Sequence, residues 1–111
     1  MALITLNDAK EYLRVDSTDE DALIGVLLSS AEGICADVAR LSDEQWADID
    51  GNAVSTERYT GAELSAVRGT MRVAVLYTLG YLFEHREEAN HHNLLLTLRS
   101  ILFAVREGSV L

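Results

Sequence analysis

The residues best equipped for chemistry in this sequence are His85, His91 and His92, interleaved with the carboxylates Glu84, Glu87 and Glu88. Imidazole and carboxylate together form the ligand set of many metal centres. Their spacing argues against one here. Adjacent His91 and His92 point in different directions, no His-Glu-x-x-His pattern sets two imidazoles on one helical face, and the group falls at a helix end and loop. A solvated loop is the simpler expectation. Glu84 and Glu87 also have the Glu-x-x-Glu spacing with which all-α nucleotide pyrophosphohydrolases hold magnesium between facing helices. The matching Glu-x-x-Asp is missing, because Glu107 is followed by Gly108, Ser109 and Val110, so that cage cannot be completed. Cys35 has no histidine near it in sequence and lies in an apolar helical pattern, where a thiol behaves as a small buried group rather than a nucleophile. No glycine-rich loop follows a strand to cradle phosphate. The sequence therefore predicts no catalytic, cofactor-binding or metal-binding residue and no cofactor.

The elements that hold these residues follow from composition. The chain has 111 residues, no proline, 7 glycines and 49% hydrophobic residues. That length suits a single domain over 1–111 with one modest core. With no proline to interrupt the intrahelical hydrogen-bond ladder, the class is all-α. A lone cysteine excludes an internal disulfide and fits a reducing compartment. Residues 1–6 carry neither a basic start nor a long apolar run, so no secretory leader is expected. The longest charge-free stretch, 73–83, is far short of the roughly 20 residues that span a bilayer. No membrane partner is expected, and the protein should be soluble and cytosolic when made.

Charge narrows the partners further. The net charge is -9 and the chain has a single lysine, Lys10, so the clustered cations that neutralise phosphate are missing and specific DNA binding is not expected. Residues 1–57 hold 13 acidic and 3 basic side chains, whereas 58–111 hold 5 and 6. Such asymmetry usually only solvates, yet it can also make a surface that complements itself when copies meet head to tail.

Apolar periodicity and capping signals divide the chain into about four helices forming a small bundle. Thr5 and Asp8 give a capping-box-like start to a helix over 6–13, with Leu6, Ala9 and Leu13 on one face. Thr18 is expected to cap a second helix of about 23 residues, acidic in its first turn (Asp19, Glu20, Asp21) and apolar at Leu23, Val26, Leu27, Ala31, Ile34, Val38 and Leu41. Residues 42–59 read as a long loop between the second and third helices, with at most one helical turn around Trp46, and as a candidate contact arm. Thr60 and Glu63 form a second capping box that opens a helix from Gly61 to about Arg86. After a loop over 87–92, Asn93 is expected to cap a last helix from Leu94 to about Glu107, stopped by Gly108.

Two helices carry more apolar surface than one core needs. The third has one stripe through Leu64, Val67, Met71, Ala74, Val75 and Leu82 and another through Val73, Leu76, Tyr77, Gly80 and Phe83, which means central burial or a neighbouring subunit. The last turns Leu94, Leu98, Ile101, Leu102 and Val105 inward and Leu96, Arg99, Phe103 and Arg106 outward, an arginine-bracketed apolar stripe. Arg68, Arg72, Val73, Leu76, Tyr77, Leu96, Arg99, Phe103 and Arg106 are accordingly the candidate subunit interface.

Three segments together resemble the head-tail connector (adaptor) family of long-tailed bacteriophages: 4–16 (ITLNDAKEYLRVD) with the acidic-then-apolar 19–34, then 73–87 (VAVLYTLGYLFEHRE), and 94–106. The opening is the most specific part, since members similarly start with a capped short helix, a turn and an acidic-capped amphipathic helix. Where members often carry proline and glycine ahead of the last helix, this chain has Asn93 and Leu94, and its 41–61 loop is longer than in typical relatives. The resemblance implies a structural virion assembly protein, a non-enzymatic subunit of a dodecameric homo-oligomeric ring at the head-tail junction. Its partners would be itself, the portal protein and the next connector or tail protein, with DNA passing through unbound. Two other classes compete: a cytosolic helical binding or regulatory module acting as a small symmetric oligomer, and a metal-dependent enzyme using His91 or Glu87.

Overall fold

Three helix starts use the same four-residue code. Thr5 with Asp8, Ser42 with Gln45, and Thr60 with Glu63 each form a reciprocal capping box, in which the hydroxyl accepts the N–H three residues on and that residue's side chain accepts the cap's own N–H. In the computed structural model, which describes residues 2–52, 55–85 and 92–106 (the Ala104 side chain excepted), these boxes open α1 (Leu6–Leu13), α3 (Asp43–Gly51) and α4 (Gly61–Glu84). The remaining described helices are α2 (Asp21–Val38) and α5 (His92–Arg106), and among the described residues every regular element is helical.

The all-α expectation holds, and the count and boundaries change. Residues 43–51, expected inside a long loop, form a nine-residue helix, because the Ser42 box satisfies its first N–H groups and Ile49 is fully buried. The connection that follows is also tied down. The Thr56 hydroxyl accepts the N–H groups of Arg58 and Tyr59, Tyr59 is buried, and the Arg58 guanidinium forks onto the Asp48 carboxylate at 2.7 and 3.1 Å. Helix α2 begins at Asp21 rather than behind a Thr18 cap, since its N-cap is Glu20, which makes no side-chain capping bond. Asn93 is the second residue of α5 rather than its cap, and its carbonyl accepts from the Thr97 hydroxyl four residues on. The expected ends at Arg86 and Glu107, the stop at Gly108 and the loop residues 87–91 lie outside the described residues; His92 belongs to α5, not to that loop.

Three helices end without the glycine that usually takes the left-handed position; α3 uses Asn52 (φ 56°), the ordinary substitute, and the other two use arginine. Arg14 (φ 60°) follows α1 and Arg40 (φ 57°) follows α2. Each sits in a Schellman-type closure: Val15 N–H donates to Lys10 O at 3.0 Å, and Leu41 N–H to Ala36 O at 3.0 Å.

Helix α4 is the hub, touching each of the other four helices. Its face through Leu64, Val67, Met71, Ala74, Val75 and Leu82 is buried as the first stripe requires, joined by Thr78 and Leu79. Opposite it, α2 presents Ile24, Leu28, Ala31 and Cys35. This seam is rotated from the expected one. Val26 is 64% exposed, and Leu27, Ile34 and Val38 only flank the core. Helix α5 closes the bundle with Leu94, Leu98 and Leu102 buried and Ile101 and Val105 partly so, as expected.

Candidate interaction surface

The residues ahead of α1 show how arginines are spent in this fold. Leu3 N–H donates to Asp50 Oδ1 of α3 at 3.0 Å, and Leu3 O accepts from Arg72 Nη1 of α4 at 2.9 Å, which pins the segment across two helices. Arg72 also lies 3.6 Å from Asp8. One turn earlier, Arg68 Nη1 donates to Ile49 O at the end of α3. Two of the nine sequence candidates thus work inside the chain, Arg72 on the Leu3 carbonyl and Arg68 on an Ile49 carbonyl that also accepts from Asn52 N–H.

The second α4 stripe is largely consumed in the same way. Leu76 and Phe83 pack on the core, and Tyr12 of α1 covers Gly80 so closely that an added Cβ would meet its ring at 3.1 Å. Tyr77 is half-buried beside that contact and lines a groove of about 700 Å³ with Tyr12 and Tyr81. Val73 alone of this stripe stands open, 60% exposed. Central burial accounts for α4.

Helix α5 differs. Leu96 and Phe103, two turns apart on one line, are 47% and 60% exposed, with Arg99 exposed between them. Their line points away from the buried Leu94, Leu98 and Leu102, so nothing in the described chain covers it. Along the flank, Leu95, Arg99 and Arg106 meet Asp37, Val38 and Arg40 from the end of α2 around a depression of about 500 Å³. Arg106 is half-buried, and its Nε is buried with no hydrogen-bond partner among the described residues. Sequence reasoning missed Arg40 and Leu95; the only hint was a non-glycine residue at a helix stop.

The groups examined for chemistry are placed as follows. His85 closes α4, stacked on Tyr81 with centroids 4.2 Å apart, and its Nδ1 lies 2.9 Å from Tyr81 O. His92 opens α5, and His91, Glu87 and Glu88 lie outside the described residues. Among the described residues no three His, Cys, Asp or Glu side chains gather as metal ligands, and no helix is long and apolar enough to cross a membrane. Cys35 is fully buried, and burial pushes its thiol up to about 11. Comparison with protein-family models, curated proteins and solved structures gives no match. Among the described residues, α5 thus presents an outward apolar line beside an arginine-rimmed depression. Removing the exposed half of the Leu96 and Phe103 side chains from water would contribute roughly 1 kcal/mol apiece.

Proposed function

We propose that this chain is a structural assembly protein, a ring-forming head-tail connector subunit that joins a portal to the next connector or tail component and continues the DNA channel. The observation that carries the reading is the outward line of Leu96 and Phe103 on α5, which the chain's own core does not use. Repeated contacts between one such face and a different face of the next copy close into a ring when the rotation permits. The resemblance of residues 4–34, 73–87 and 94–106 to the connector family supplies the biological setting. The net charge of -9 suits a conduit that must let DNA slide without gripping it. On this reading the protein works by geometry and recognition, and it catalyses no reaction.

The test is native mass spectrometry of the purified chain over a range of concentrations, alone and with the cognate portal ring. A ring, formed alone or on the portal, is expected. Monomers under every condition would overturn the proposal, and a species that stops at two copies would favour the small symmetric regulator instead.

A further inference from the structure

The chain has eight arginines and twice as many acidic as basic side chains, so an arginine without a carboxylate partner is not short of candidates. Arg58 is held by Asp48, Arg72 lies by Asp8, Lys10 is held by Asp21 at 2.8 Å, and Arg68 is spent on a carbonyl. Arg14 too makes no ion pair among the described residues, but no second arginine joins it, whereas Arg40, Arg99 and Arg106 converge. They come from two helices to one depression, and among the described residues none of them makes an ion pair, although Asp37 shares the rim. Val38 and Leu95 also line the depression, and among the described residues the buried Arg106 Nε has no acceptor. The exposed parts of these guanidinium groups are what an incoming carboxylate would meet. Arg40 holds its place at the rim from a left-handed backbone position.

The complementary group lies at the other end of the same helix. The turn leading into α2 carries Asp16 and Asp19, both exposed and neither in an ion pair among the described residues, on either side of the small polar Ser17 and Thr18. The 18 residues of α2 separate the two ends by roughly 27 Å at 1.5 Å per residue. An arm of that length cannot fold back on its own depression, so the charges can meet only between copies. We propose that the depression rimmed by Arg40, Arg99 and Arg106 is the receptor for the acidic turn of a second copy, taking the Asp16 and Asp19 carboxylates. The inference rests on self-association, and it specifies the contact that the ring reading leaves open.

The experiment is sedimentation velocity at low and high salt on the full chain as wild type, Arg99→Glu, Asp19→Arg and the double swap carrying both. Both residues are exposed, so circular dichroism should show an unchanged fold. Each single reversal should weaken association about tenfold or more at low salt, and the double swap should recover most of it by restoring opposite charges across the contact. Singles that associate like wild type, or a double no better than its singles, overturn the inference while leaving the ring reading standing. Wild type that stays monomeric at both salt concentrations overturns the inference, whereas the ring reading falls only if the portal ring also fails to gather copies. Fluorescence anisotropy with a 20-base-pair duplex supplies the remaining arm: binding by wild type that Arg99→Glu abolishes would assign the depression to phosphate and overturn the inference.

Discussion

Cys35 Sγ lies 3.3 Å from Thr78 Oγ1, and because the Thr78 hydroxyl gives its proton to Ala74 O at 2.8 Å, the thiol is the donor of the pair. The sulfur is thus a hydrogen-bonded core group in the α2–α4 seam. Burial and the neighbouring Glu32 carboxylate both hold the proton on it.

Labelling of Cys35 should therefore report opening of the bundle and nothing else. Since the thiolate is the reactive species, Ellman's reagent at pH 8 should modify the folded chain at least about a hundredfold more slowly than the urea-unfolded chain. Equal rates would mean that the seam is not closed in solution.

Glu32 gives the fold a pH dependence of unusual sign. Partial burial, and secondarily the charge of Asp50, push its carboxyl up to about 7 from an ordinary 4.5. Between those values the folded chain binds a proton that the unfolded chain has released, so stability falls as pH rises from about 4.5 through about 7 and is flat above. Glu32→Gln should flatten that slope and stabilise the protein at pH 8 by about 1 kcal/mol, less than the full equivalent of the shift because the group still meets solvent. Urea midpoints at pH 5 and pH 8 for the two proteins check this; a mutant advantage that does not grow with pH counts against it.

The left-handed arginines separate stability from assembly. Arg14→Gly relieves a non-glycine residue at φ 60° and should raise the thermal midpoint, by about 1 kcal/mol or less, with assembly unchanged. Arg40→Gly should stabilise the monomer for the same reason and yet weaken association, since it removes one guanidinium from the depression. Thermal melts paired with sedimentation would show the opposite signs, and a shared sign would refute the assignment of Arg40 to the contact.

Phe103→Ala probes the apolar line by itself. Truncating an aromatic anchor at an interface commonly costs about tenfold or more in affinity, and removing no charge should leave the salt dependence of association as in wild type. Arg99→Glu should change that dependence, because charge steers encounter and is screened. Arg106 is a poorer probe because it is half-buried. An ionic-strength series that moves Phe103→Ala and Arg99→Glu identically would remove the distinction between the apolar line and the charged rim.

The sequence made some features plain and concealed others for identifiable reasons. The boxes at Thr5 and Thr60 are local, and local chemistry survives folding unchanged. The inner face of α5 was legible because Leu94, Leu98 and Leu102 recur every four residues, with Ile101 and Val105 on the adjoining positions. In α2, apolar residues stand at 22, 23, 24, 26, 27, 28, 31, 34, 35, 36 and 38, so periodicity admits two seams and only contact with α4 chooses between them. Helix α3 has just Trp46 and Ile49 as apolar anchors toward its middle and is otherwise acidic, which is why its capping box did not suffice to mark a helix. The arginines were the hardest to read: Arg68 and Arg72 reach carbonyls 19 and 69 residues away, and the meeting of Arg40 with Arg99 and Arg106 is likewise a product of tertiary folding.

Because α4 touches every other helix, and Leu3 is fastened through Arg72, the chain cannot complete its structure in the order in which it is synthesised. A nascent chain that has emerged only through residue 60 holds α1, α2 and α3 without the surface they bury against. Its leading segment must wait for an arginine 69 positions later. Folding is thereby coupled to the near-completion of translation, and a ribosome-bound intermediate would expose the apolar flank of α2 to whatever chaperone or sister chain it meets first.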